Sequence, residues 1–172
     1  MPTITETTDA PESLATPYSA TFGDVFEGEI ETSRERDWVR FTLDGGYGYT
    51  FNFGGDGATT SLPDTNIAIR NALGEFDFGL NADGSILSGF TVSEDAVYFF
   101  DLGSRYGSQT GTYRLSVEQE IAGNISTVET LEVGEVLQST LDYNRDRDWI
   151  QMELEGGYGY VFSYRGDGSA SS

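Results

Sequence analysis

An internal repeat constrains this chain more than any other feature. Sliding the sequence against itself by 111 residues lays 22–57 over 133–168 without a gap. "FGDVFEGEIETSRERDWVRFTLDGGYGYTFNFGGDG" aligns with "VGEVLQSTLDYNRDRDWIQMELEGGYGYVFSYRGDG", and the substitutions keep chemical character: Val39 with Ile150, Phe41 with Met152, Asp44 with Glu155, Phe53 with Tyr164. A match of this length implies two copies of one domain of about 110 residues, a period too long for a solenoid and suited to tandem globular domains. The first copy runs on for about 60 residues past its Gly-Asp-Gly, whereas the second has only four more. The expected organisation is a complete domain over 1–118, a linker at 119–123 and the first half of a second repeat over 124–172.

Periodicity sets the fold class. In "DWVRFTL", Trp38, Arg40 and Thr42 alternate with Val39, Phe41 and Leu43, which is the period of a strand with one buried face. "YGYTFNF" places Tyr47, Tyr49, Phe51 and Phe53 on one face, and the "DGG" between the two strands predicts a hairpin turn. Further strands are expected at Asp24–Ile30, Thr65–Arg70, Ile86–Val92, Ala96–Gly103 and Gly111–Val117, separated by Gly, Asn, Asp and Ser turns. No stretch of ten residues has helical periodicity. The expectation is an all-β, antiparallel, jelly-roll-like sandwich of about eight strands with a partial second repeat.

The dense glycines invite comparison with calcium-binding nonapeptide repeats, which need aspartate at their sixth position. Counting from Gly45, Gly54 and Gly156, that position holds Thr50, Thr59 and Val161, so the stretch is not such a repeat.

Composition removes function classes. The chain has 29 acidic and 9 basic residues, a formal charge of −20, and neither histidine, cysteine nor lysine. Such a surface repels nucleic acid and anionic lipid and concentrates cations. The missing residues exclude a Ser-His-Asp triad, a thiol nucleophile, a Schiff base and the usual zinc sites. A carboxylate pair remains available for acid–base chemistry, but no particular pair stands out, and the chain is expected not to be an enzyme. No apolar run is long enough to span a membrane, and "MPTITETTDAPESLATPYSAT" lacks the basic and apolar regions of a secretory leader.

The order of landmarks in the first copy resembles the bacterial pre-peptidase C-terminal domain. An acidic segment, "ETTDAPES", precedes "GDVFEGEI" and "RDWVRFTLDGGYGYTFNF". "LPDTNIAIRNALGEFDFGLNADGSILSGFTV", "EDAVYFFDLGS" and the closing "TGTYRLSVE" follow. The family's Asp-Pro is Asp64-Thr65 here, and its Asp-Asp turn is "NADG". The resemblance implies a non-catalytic, jelly-roll-like appendage of exported proteases, some members of which bind calcium or extracellular polymers. The opening also resembles secreted serralysin-type metalloproteases, which implies export of the type I kind without an N-terminal leader. The zinc motif His-Glu-x-x-His of such proteases is absent.

Within that resemblance the acidic segment folds back onto the turn before the Asp-Trp strand. This implies a calcium site from Glu6, Asp9, Glu31, Glu35 and Asp37, against the alternative of a solvated acidic face in which Asp37 makes a turn hydrogen bond. A weaker candidate comprises Asp64, Asn81 and Asp83. Arg36 and Arg147 are expected to pair with nearby carboxylates at the surface. Trp38 and Trp149 are expected to anchor the core rather than bind sugar. The Arg165-Gly166-Asp167 tripeptide reads as part of a shared turn rather than an adhesion motif. The expected function is a calcium-stabilised accessory module of a larger secreted protein, serving spacing, stabilisation or attachment to an extracellular protein or polysaccharide. The alternative is a structural subunit that self-associates by completing the half-repeat with strands from a neighbour.

Overall fold

The computed structural model describes residues 2–82, 86–141 and 146–166. Ten strands form two five-stranded sheets: β1 (Thr3–Thr5), β2 (Ser19–Ala20), β3 (Val25–Ile30), β4 (Arg36–Leu43), β5 (Tyr47–Gly55), β6 (Thr65–Arg70), β7 (Phe76–Ala82), β8 (Ile86–Val92), β9 (Ala96–Gly103) and β10 (Gly111–Ile121). One sheet has the order β1-β3-β10-β5-β8 and the other β2-β4-β9-β6-β7. The all-β sandwich expected from the sequence is the fold.

Besides β7, a strand the sequence reading did not expect and which pairs with β6, the topology differs from expectation in two ways. The residues flanking the acidic segment add short edge strands to both sheets, β1 before it beside β3 and β2 after it beside β4, and both of these pairings are parallel. These strands are two and three residues long, too short to show periodicity. The second difference is that β4 and β5 do not pair as a hairpin. β4 lies between β2 and β9 in one sheet, and β5 lies between β10 and β8 in the other. Both strands carry an apolar face, and the Asp44–Gly46 turn brings those faces together across the sandwich instead of laying the backbones side by side.

That turn explains the repeated motif. Gly46 has φ of 86°, and the Tyr49 hydroxyl accepts from the Asp44 N–H at 2.8 Å while donating to the Asp44 carbonyl at 3.0 Å. In the second copy Gly157 has φ of 90°, and Tyr160 makes the same two bonds to Glu155, at 2.9 and 3.2 Å. "(D/E)GGYGY" is therefore a turn closed by a tyrosine five residues on, with glycine where φ is positive.

The core lies between the sheets. Val39, Phe41 and Leu43 of β4 alternate inward against Tyr49, Phe51 and Phe53 of β5, and all six are fully buried. Phe41 stacks on Phe100 with ring centroids 4.4 Å apart, and Phe51 meets the same ring edge-on at 5.1 Å. Trp38, one position out of phase, is excluded from this core. It lies on the outer face of its sheet, buried beside Phe99 with Arg70 4.7 Å over its ring. Its neighbour Arg36 bonds Asp101 of β9 rather than an acid of its own turn, and Arg70 bonds the other Asp101 oxygen at 2.6 Å. Asp101 is almost fully buried, so this is a desolvated network rather than an exposed pair.

The half-repeat is arranged differently. Between 124 and 166 the described residues contain no strand, only an isolated bridge of Thr130 with Gln151. Trp149 is 46 % exposed.

Candidate metal centre

The acidic segment is held against the sandwich by its own side chains. The Glu6 carboxylate accepts from the Ala10 N–H at 2.6 Å through Oε1 and from the Glu29 N–H at 2.9 Å through Oε2. Thr7 and Thr8 donate their N–H groups to the Tyr18 hydroxyl at 2.8 and 2.9 Å, and that hydroxyl donates to the Thr8 carbonyl. Thus residues 6–10 are bent into a turn over the end of β3. Across from it, Glu35 Oε2 accepts from the Glu31 and Thr32 N–H groups at 2.6 and 2.7 Å. Arg34, in the same turn, has φ of 71°, a left-handed value unusual outside glycine.

Asp37 comes from below. It shares the strand parity of Val39, Phe41 and Leu43, so its carboxylate points inward at the rim of the core and is 0 % exposed. Oδ2 accepts from the Tyr113 hydroxyl of β10 at 2.6 Å. Oδ1 is buried without a hydrogen-bond partner. Gly28, opposite Tyr113 on β3, leaves the necessary room. A Cβ there would stand 2.5 Å from the Tyr113 hydroxyl and 2.7 Å from Glu6 Oε2.

The five acids singled out in the sequence meet in two overlapping triads. Ligand oxygens of Glu6, Asp9 and Asp37 lie within 4.8 Å of one another, as do those of Asp9, Glu31 and Glu35. Calcium–oxygen distances of about 2.3–2.6 Å put ligands on opposite sides of one ion roughly 5 Å apart. Each triad therefore has the span of a cation site. An open groove of about 290 Å³, lined by Asp9, Glu12, Ser33 and Glu35 among others, leads to the cluster.

Electrostatics match that geometry. Burial, opposed by the Tyr113 hydrogen bond and reinforced by Glu6, Glu35 and Glu31, pushes Asp37 up to about 8. Burial, with Glu35 and Glu6 nearby, pushes Glu31 up to about 7. Glu6 is raised as well, chiefly by burial. The carboxylates are crowded until a positive charge or protons neutralise them.

The weaker candidate lies partly outside the described residues. Asp64 lies in the loop before β6, Asn81 pairs with Asn66 within β7, and Asp83 lies outside the described residues, as does Asp167. The residues that the sequence reading missed are Tyr113, Gly28 and Tyr18. Tyr113 alternates inward with Leu115 and Val117 and reads as one more core aromatic.

No family model matches the chain, and no curated protein does. Among solved structures it is similar to the pre-peptidase C-terminal domain of a collagenase from Bacillus anthracis. Identity is 12 % and the TM-score 0.47, over 59 % of this chain and 93 % of that one. It is also similar to PliG of Aeromonas hydrophila, a periplasmic inhibitor of g-type lysozyme. There identity is 15 % and the TM-score 0.39, over 60 % of this chain and 98 % of that one.

Proposed function

We propose that the first repeat is a non-catalytic accessory module of an exported protein, in which calcium clamps the acidic N-terminal segment onto the sandwich. The observation that carries this reading is the buried, unpartnered Oδ1 of Asp37, on a carboxylate that clusters with those of Glu6 and Asp9. A buried carboxylate oxygen without a donor costs about 1–3 kcal/mol, and a cation removes that cost. Five carboxylates in one cluster suit calcium, which takes six to eight oxygens in flexible geometry. Magnesium demands a tight octahedron and keeps its waters. Because Asp9 belongs to both triads, it would bridge two ions if both sites fill.

The segment concerned, residues 3–10, supplies edge strand β1 and the turn over β3. Ion binding would thus convert a charged, self-repelling tail into part of the sandwich. Calcium abundant outside cells and scarce within would make the module rigid after export. Spacing, stabilisation or attachment to a protein or polysaccharide would be its service to the larger protein.

Titration calorimetry on the chelator-treated chain tests this. Calcium should bind with one or two sites per chain and magnesium much more weakly, and Asp37→Asn should remove the inner site while still accepting the Tyr113 hydrogen bond. Absence of binding at millimolar calcium would sink the proposal.

A further inference from the structure

We propose that the two repeats are locked together by a clasp: the Asp44–Gly46 turn of one repeat is the docking surface for the opening edge, residues 124–131, of the repeat that follows. No length of chain is left for a tether. Ile121, the last residue of β10, is paired with Tyr47 of the first repeat. The next residue, Ala122, is fully buried and accepts from the Trp149 N–H of the second repeat at 3.2 Å. The linker expected at 119–123 is thus divided between the two repeats.

The opening edge has the structure of a repeat in its own right. The Thr127 N–H donates to the Asn124 carbonyl at 3.2 Å, the Asn124 side chain accepts from the Ser126 N–H at 2.8 Å, and the Thr127 hydroxyl accepts from the Glu129 N–H at 3.1 Å. Ser13, Ala15, Thr16 and Tyr18 make the same three bonds 111 residues earlier. The bridge of Thr130 with Gln151 likewise reproduces the parallel pairing of Ser19 with Arg40. In structure the repeat reaches back to Ser13 and Asn124, whereas the ungapped sequence match begins at Phe22 and Val133.

Further contacts cross from one repeat to the other. The Gly46 N–H donates to the Val92 carbonyl of its own sandwich at 2.7 Å, while the Gly46 carbonyl accepts from the Val128 N–H at 3.2 Å. A Cβ on Gly46 would collide with Val128 Cγ1, whereas one on Gly45 would lie 2.6 Å from Glu94 Cα of the first repeat. The paired glycines of the turn therefore face two ways, Gly45 toward its own sandwich and Gly46 toward the next repeat. Pro17 stands at the position of Val128 and has no N–H to give, so the local turn forms without that donor. At the join itself Gly123 stands where the first repeat has Glu12, and a Cβ there would lie 2.6 Å from the Arg147 carbonyl oxygen. The partner that fits the Asp44–Gly46 turn is thus a repeat edge offering a free N–H and a branched methyl. The joint holds successive repeats in a fixed orientation without calcium, since none of the five clustered acids takes part in it.

The chain has no cysteine, so nitroxide labels on Ala72→Cys and Glu132→Cys report a single inter-repeat distance by pulsed electron resonance. Measured in chelator, that distance should be narrowly distributed. Gly123→Ala falls at a residue whose backbone is not left-handed, so it challenges the joint without straining φ. It should widen the distribution about twofold and speed exchange of the Val128 and Trp149 amides about tenfold, while amides of β4, β5 and β9 keep their rates. Val128→Pro, the residue the first repeat carries in the same turn, should widen the distance as well. A broad distribution in the otherwise unaltered chain overturns the clasp, and so does a narrow one that neither substitution widens.

Discussion

Residues 22–53 and 133–164 share a sequence pattern but not a structure. Each has a positive-φ glycine early, Gly23 or Gly134, and another in the turn closed by Tyr49 or Tyr160. The first region is three strands inside a sandwich, and the described residues of the second form none. Turns close through neighbours in sequence, so both copies form them. Strands need backbone partners far along the chain, and only the first copy has β8, β9 and β10 opposite. Alternation thus encodes readiness to pair, and pairing itself is non-local.

The comparison breaks most sharply in the core. Phe41→Ala should cost about 3–5 kcal/mol, because it removes a ring stacked on Phe100 at 4.4 Å. Met152→Ala, at the equivalent position of the half-repeat, should stay within about 0.5 kcal/mol. Urea unfolding of both variants checks this. Equal losses would mean that the half-repeat is packed as tightly as the first copy.

Calcium should act on the first copy alone. At about 100 times its dissociation constant it adds roughly 2.7 kcal/mol, a rise in melting temperature on the order of ten degrees. Chelator should reverse the rise. At the repeat offset Glu6 falls on Val117 and Asp9 on Glu120, both within β10 of the first sandwich, so amides of 133–164 should exchange at the same rate with or without the ion.

Acidity should sharpen the same contrast. Asp37 and Glu31 are raised to about 8 and about 7 in the ion-free fold, so they hold protons that the unfolded chain has released. Their stabilising contribution is complete below the ordinary carboxylate range and is lost as pH rises through 7 and 8. The chelated chain should accordingly melt several degrees lower at pH 8.5 than at pH 5.5. Calcium binds the ionised forms, so the stability it adds should grow over that window. Differential scanning calorimetry at both pH values, with and without calcium, checks the crossover.

Much of this was legible in the residues. Five acids from two segments could be named because the resemblance to the pre-peptidase C-terminal domain implies that "ETTDAPES" folds back onto "ETSRERD". Sandwich strands with long alternation, such as β4 and β10, were also plain. Sheet membership was not, because alternation marks a buried face without naming the sheet that carries it, and so the β4–β5 turn read as a hairpin. Trp38 misled for a related reason: its size suggested core, while its parity, opposite to Val39 and Phe41, placed it outside. The same parity rule applied to Asp37 points its carboxylate inward, a signal present in "DWVRFTL". Its partner Tyr113 was hidden because an inward tyrosine among leucine and valine looks like packing alone.

The smallest effect tests the local half of the comparison. Tyr49→Phe deletes a hydroxyl that serves both backbone groups of Asp44 and also accepts from Gln119 at 3.3 Å. The ring is fully buried, so the loss leaves those groups with poorer partners and should cost about 1 kcal/mol of global stability. Tyr160→Phe deletes the same pair of bonds to Glu155, yet global unfolding should not register it, because no sheet depends on that turn. Amide exchange at Glu155 should register it, rising severalfold as the N–H loses its acceptor. A global cost at Tyr160 equal to that at Tyr49 would show the second turn already carrying sheet structure. An unchanged exchange rate at Glu155 would show that the turn closes without its tyrosine, and the repeated motif would then need another explanation.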